Sequence, residues 1–166
     1  MHIITQKSTL HCYLIDTWTR LKTWTLQTSL NQSNQNFLVK CLAMTNENIF
    51  VATDELLLHV FSFGGQQTAV MCLTDQPISI LAHEEGLLKQ KLCIVYQDLS
   101  IQIFSFNDWQ FDMIFESKLP MHSTLKWVGF SNDGFLVCTG NDGATFALNQ
   151  TSKCWFPIFK SITEGN

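Results

Sequence analysis

Residues 125–159 constrain the fold more than any other stretch of the sequence. Four apolar runs, residues 125–130, 135–139, 144–148 and 154–159, are separated by Ser131-Asn132-Asp133-Gly134, Gly140-Asn141-Asp142-Gly143 and residues 149–153. Runs this short suit strands and fall below the length of ordinary helices. Asn and Asp tolerate left-handed backbone, and Gly adopts it without a Cβ clash. Each Asn-Asp-Gly therefore suits the tip of a tight hairpin. The stretch predicts a four-stranded antiparallel meander. Alone, such a sheet has one buried face at best and two raw edges, so it needs neighbours.

The rest of the chain supplies similar pieces. Residues 10–15 and 21–26 read as two strands around Asp16, Thr17, Trp18 and Thr19, and residues 28–36 as a polar loop. Further strands are expected at 37–44, 49–53, 57–63, 69–73 and 78–82. Residues 83–91 read as a polar loop, with a turn of helix at 83–90 the single helical candidate. Residues 92–96 and 99–106 form the next hairpin. Residues 109–116 then place Trp109, Phe111, Met113 and Phe115 on one face, opposite Gln110, Asp112 and Glu116, with Ile114 out of pattern. That alternation predicts a half-buried strand.

A repeat runs through these pieces. Phe61-Ser62-Phe63 recurs as Phe104-Ser105-Phe106 at an offset of 43, and Phe146-Ala147-Leu148 follows after another 42. Upstream, Trp24-Thr25-Leu26 lies 37 before Phe61. A period near 40 with four strands per unit marks a β-propeller blade, which buries its faces against its neighbours. The expected architecture is all-β: a partial β-propeller of WD40-like four-stranded blades, about four units, some incomplete. An open set of blades leaves edges that pair with other chains, so the isolated segment should self-associate.

Composition narrows the function. Hydrophobic residues make up 46% and charged residues 14%, and the 166 residues suffice to bury a core. The net charge of −4 rests on ten Lys plus Arg, with Lys89 and Lys91 the densest pair, so no basic stripe is available to grip duplex DNA. No run reaches the roughly 18 apolar residues of a membrane span, and the N-terminus lacks a signal-peptide pattern. Cys12, Cys41, Cys72, Cys93, Cys138 and Cys154 are evenly spread without a CxxC pair. They read as small buried hydrophobes in a reducing compartment.

No catalytic cluster stands out. His11 and Cys12 lie near Asp16, but neighbours on a strand point to opposite faces. His83, Glu84 and Glu85 read as a solvated turn, and His59 as a packed strand histidine alternating with Leu57 and Phe61. Gly64-Gly65 is a turn pair rather than a phosphate loop. The chain reads as non-enzymatic, with no metal, cofactor or small-molecule ligand.

Residues 50–65, then 77–83, resemble the second propeller, or SepB domain, of the And-one/chromosome transmission fidelity family of replisome adaptors. Residues 125–134 and 155–158 resemble its other signature segments, and Leu10, His11 and Cys12 followed by Trp18 and Trp24 fit the same order. The resemblance covers residues 10–159, with tails at 1–9 and 160–166. It marks Phe61, Gly64, Gly65, Trp127, Gly129, Phe130 and Trp155 as structural motif positions.

Such a resemblance implies a nuclear scaffold that trimerises through this propeller. It tethers the replicative helicase, through its GINS subunits, to DNA polymerase alpha–primase, and associates with chromatin indirectly. It also implies that the remaining blades and a client-binding helical bundle lie outside these 166 residues. The alternative is a generic WD-like propeller scaffold of another nuclear or cytoplasmic complex.

Two further readings concern aromatics. Trp127 and Trp155 are expected in the core, and Trp18 in an exposed turn. The stripe Trp109, Phe111, Met113 and Phe115 is the candidate interface, with packing onto the next blade as its competing role.

Overall fold

In the computed structural model, residues 2–6, 9–13, 20–25, 38–85 and 89–159 are described, and every regular element among them is a β-strand. β1 (His2–Gln6), β2 (Thr9–Tyr13) and β3 (Arg20–Thr25) form a three-stranded sheet in that order. Three four-stranded meanders follow. The first is β4 (Val39–Met44), β5 (Asn48–Thr53), β6 (Leu57–Ser62) and β7 (Gln67–Cys72). The second is β8 (Pro77–Glu85), β9 (Lys89–Tyr96), β10 (Ser100–Asn107) and β11 (Gln110–Lys118). The third is β12 (Leu125–Phe130), β13 (Leu136–Gly140), β14 (Thr145–Asn149) and β15 (Cys154–Phe159). All pairings are antiparallel between chain neighbours.

Two expectations are corrected here. Residues 1–9, read as a tail, supply β1, which pairs with β2 from His2–Tyr13 to Gln6–Thr9. The loop expected at 83–91 is mostly strand, because β8 continues through Glu85 and β9 begins at Lys89. A run such as His83-Glu84-Glu85 is polar by composition, but backbone pairing does not require apolar side chains. The turn at 16–19, the loop at 28–36 and the tail at 160–166 lie outside the described residues.

The turns explain why the units resemble each other. Thr53, Ser62, Tyr96, Ser131 and Gly140 each accept a backbone hydrogen bond from the residue three positions on, at 2.9–3.3 Å. That third residue has positive φ in every case: Leu56, Gly65, Leu99, Gly134 and Gly143. A turn ending in one left-handed residue is a standard hairpin connection. Asn132, Asp133, Asn141 and Asp142 keep negative φ, so in each Asn-Asp-Gly the Gly alone supplies the left-handed backbone. The carbonyls of Leu56 and Leu99 then accept from Leu73 and Leu119, tying the end of the fourth strand to the central hairpin.

This turn also sets the true register of the repeat. Phe61 opposes Ile49, Phe104 opposes Leu92, and Leu148 opposes Leu136. Phe61, Phe104 and Leu148 are thus the equivalent positions, and the third copy is matched by Leu148 rather than Phe146.

The chain divides into two compact units, Met1–Ile78 and Ser79–Asn166. In the first, every residue of β5 is buried, and Leu58, Val60 and Phe61 of β6 join it. A strand buried on both faces reads as a continuous apolar run rather than an alternating one. In the second, Cys93, Val95, Ile101 and Ile103 from β9 and β10 meet Leu136, Cys138 and Leu148 from β13 and β14 in one buried cluster. Opposed residues share a face, so the register places Ile101 with Val95 and Ile103 with Cys93 on the face that enters this cluster.

Candidate functional site

The hairpin β10–β11 carries the expected stripe, and the structure divides it. Asp108 and Trp109 form a two-residue turn with φ of 46° and 65°, closed by the Asn107–Gln110 pair. Trp109 therefore belongs to the turn and not to the strand. Two successive left-handed residues make the mirror-image turn suited to strand twist, and its second position favours Gly. A bulky residue there costs about 1–2 kcal/mol. The Trp109 side chain is also 57% exposed, so packing does not explain its presence.

Along β11, Phe111 opposes Phe106 and Met113 opposes Phe104, which puts Phe111 and Met113 on one face. The register then slips by one residue at Ile114, and Phe115 opposes Ile103 on the other face. A bulge inserts one unpaired residue and bends the strand. It breaks the one-face stripe that alternation predicts. Phe111 lies half-buried, 4.6 Å from the Phe106 ring and 6.1 Å from Phe104 in an edge contact. Phe115 packs against the buried cluster of the second unit. Met113 and Ile114 stay exposed.

The motif positions fall in several places. Phe61 is buried and its ring stacks 6.2 Å from His59. Gly64 and Gly65 close the β6–β7 turn, with Gly65 at φ 85°. Phe130 is half-buried, 5.4 Å from the His83 ring. Trp155 packs on the buried cluster, its Nε1 enclosed without a hydrogen-bond partner. Trp127 departs from the core placement expected of it: it is 52% exposed, and its ring covers Gly129, where a Cβ would strike it. An aromatic on an apolar strand is core only if its face is covered, which the local sequence does not encode. Trp18 lies outside the described residues.

The titratable groups of the described residues are dispersed over the blades. Among the described residues no group of three His, Cys, Asp or Glu is placed to hold a metal ion. His59 is buried, meets Gln67 Oε1 at 3.3 Å, and burial holds its pKa below 6.5 despite Gln67 and Glu55. Burial pushes the Cys41 and Cys138 thiols up to about 11, and Cys93 higher still. Cys93 and Cys138 are the buried thiols expected, whereas Cys72 and Cys154 are exposed. The side chains of His11 and Cys12 and residue Asp16 lie outside the description.

Sequence reasoning missed a polar clasp within the second unit. Lys91, read as part of a solvated loop, pairs with Glu85 and reaches Gln150 Oε1, and Gln150 Nε2 donates to the Gly134 carbonyl at 3.0 Å. Missed too was the exposure of β15, where Phe156, Ile158 and Phe159 are open. Its signal was Pro157, because proline within an apolar run favours an edge strand.

Successive antiparallel four-stranded meanders sharing one turn geometry define a β-propeller of WD40-like blades. The β-propeller domain of Cps50 (Swd1) from Myceliophteria thermophila aligns with a TM-score of 0.68 at 13% identity, over 91% of this chain and 52% of that one. The crystal structure of HIRA aligns with a TM-score of 0.61 at 16% identity, over 92% of this chain and 46% of that one. The family model of the minichromosome loss protein Mcl1, middle region, matches residues 2–165, and the chain belongs to that family. The mouse WD repeat and HMG-box DNA-binding protein 1 is 28% identical over 163 residues, 91% of this chain but 14% of that protein's length.

Proposed function

We propose that the chain contributes blades to a non-catalytic, protein-binding propeller scaffold that serves DNA replication in the nucleus. The observation that carries this reading is the match of the Mcl1 middle-region family over residues 2–165. The similarity to WD repeat and HMG-box DNA-binding protein 1 supports it. In this reading the longer protein self-associates as a trimer and links the GINS subunits of the helicase to DNA polymerase alpha–primase. The helicase and polymerase bind outside the present residues. The net charge of −4 favours chromatin association through proteins over direct contact with DNA.

The four apolar residues of the β10–β11 hairpin divide by role. Phe111 and Phe115 hold the blade together, and Trp109 and Met113 face outward. The test is purification of the product of the complete reading frame from replicating cells. Recovery of GINS and polymerase alpha–primase is expected. Recovery of a different assembly in their place would refute the adaptor and favour a generic propeller scaffold. The isolated chain should bind duplex DNA weakly at most. Tight binding that falls steeply with salt would contradict the indirect route.

A further inference from the structure

The second four-stranded sheet ends at β11, which pairs with β10 on one side and, among the described residues, with no strand on the other. At its tip Trp109 holds a bulky apolar side chain at φ 65°; the chain gives positive φ also to Gly65, Gly134, Gly143, Lys153, Leu56 and Leu99, but the two leucines are half-buried whereas Trp109 is exposed. Backbone strain at an exposed side chain points to a use for that side chain. Met113 and Ile114 lie exposed on the same strand, at 56% and 39%. Asp108, Asp112 and Glu116 bring carboxylates to this hairpin. Its one cation, Lys118, is already directed at Asp98, 3.4 Å away.

We infer that the tip and free edge of β11 dock an extended basic segment of a partner protein. The segment adds as a further strand, drawing main-chain hydrogen bonds from the edge. An apolar side chain rests on Met113 or Ile114. A Lys or Arg lies on the Trp109 indole, with the Asp108 and Asp112 carboxylates as counter-charges. A second copy of this chain fits less well. Two β11 edges paired antiparallel about Ile114 would set Asp112 against Glu116 twice, and opposed like charges are destabilising. The inference rests on the scaffold reading only in expecting a protein client. Its test uses neither helicase nor polymerase, so the two can fail separately.

The chain is titrated with a blocked synthetic peptide alternating lysine and valine, and with its glutamate–valine counterpart. Calorimetry follows binding, and the Trp109 indole N–H is followed by nuclear magnetic resonance. The lysine peptide should bind, shift the Trp109 signal and weaken as salt rises, and the glutamate peptide should not bind. Trp109→Gly should lower affinity about tenfold while the melting temperature holds or rises, because Gly relieves the turn. Asp112→Lys should weaken binding with the Trp109 signal otherwise unmoved. No binding, equal binding of both peptides, or unchanged affinity in Trp109→Gly would overturn the proposal. So would a lower melting temperature in Trp109→Gly, which would make the indole a packing element. A dimer that Trp109→Gly converts to monomer would overturn it in favour of a second copy.

Discussion

β9 and β15 are both dominated by apolar residues, yet they live in opposite environments. From Leu92 to Tyr96 the side chains of β9 are almost wholly enclosed, whereas Ile158 and Phe159 of β15 are 57% and 61% exposed. β9 is an inner strand of its sheet and β15 an outer one. An inner strand has hydrogen-bonded neighbours on both sides and sheet faces to bury. An outer strand has a neighbour on one side only. Hydrophobic content therefore does not decide what is core in this molecule; position within the blade does.

The sharpest way to break that comparison is to shorten one isoleucine in each strand. Ile94→Ala, at a fully buried site, should cost about 2–5 kcal/mol in denaturant unfolding. Ile158→Ala should stay within about 0.5 kcal/mol. Equal losses would show that β15 is covered in solution.

The bulged strand β11 offers an intermediate case. Phe111→Ala, which removes a half-buried ring from Phe104 and Phe106, should cost about 2 kcal/mol, and Met113→Ala less than about 1 kcal/mol. Phe111→Asp should abolish cooperative melting. An intact melt together with a lower oligomer mass would instead make Phe111 a subunit contact.

Gly134→Ala tests the turns. Gly134 has φ 80°, and an added Cβ would sit 2.8 Å from His83 Nε2. The loss should be about 1–2 kcal/mol, read as a lower melting temperature. No change would mean that the turn and His83 yield together.

The smallest effect expected is a pH dependence. His59 has a folded pKa below its ordinary 6.5 because burial disfavours its cation. Just below pH 6.5 the unfolded chain binds more protons than the folded one, so stability should fall as pH drops through that value. His59→Gln should flatten this slope, and an unchanged slope would assign it to another group. Asp98 and Asp142 act further down. Ser100 donates to the Asp98 carboxylate, and the nearby Ser123 hydroxyl with the Ala144 N–H favours the ionised form of Asp142, so each pKa lies below 3.8 and their contribution should fade only in stronger acid.

Much of the fold was legible in the residues. Strand-length apolar runs, Gly at the turn ends and the recurrence of Phe61 at Phe104 are local signals, because turn backbone and strand length are set by a few consecutive residues. Chain-neighbour pairing follows from such short turns, so the four-stranded blades came with them. Residue order and spacing also pointed to the family that the comparison confirms.

Other features depend on what each strand packs or pairs against, which its own residues do not encode. The bulge at Ile114 exists because β10 fixes the register on either side of it, and it sends Phe115 to the opposite face from Phe111. His83 and Glu85 became strand because β9 offered backbone partners; Lys91 meets Glu85 across that same sheet and reached Gln150 only once two sheets met. Trp127 stayed exposed because no described residue covers its face, although its own strand is apolar. Hydrophobicity is a property of a residue, and burial is a property of its surroundings. Local residue patterns set most of the strands and their turns, and the packing of sheets settled which aromatics became core and which stayed exposed.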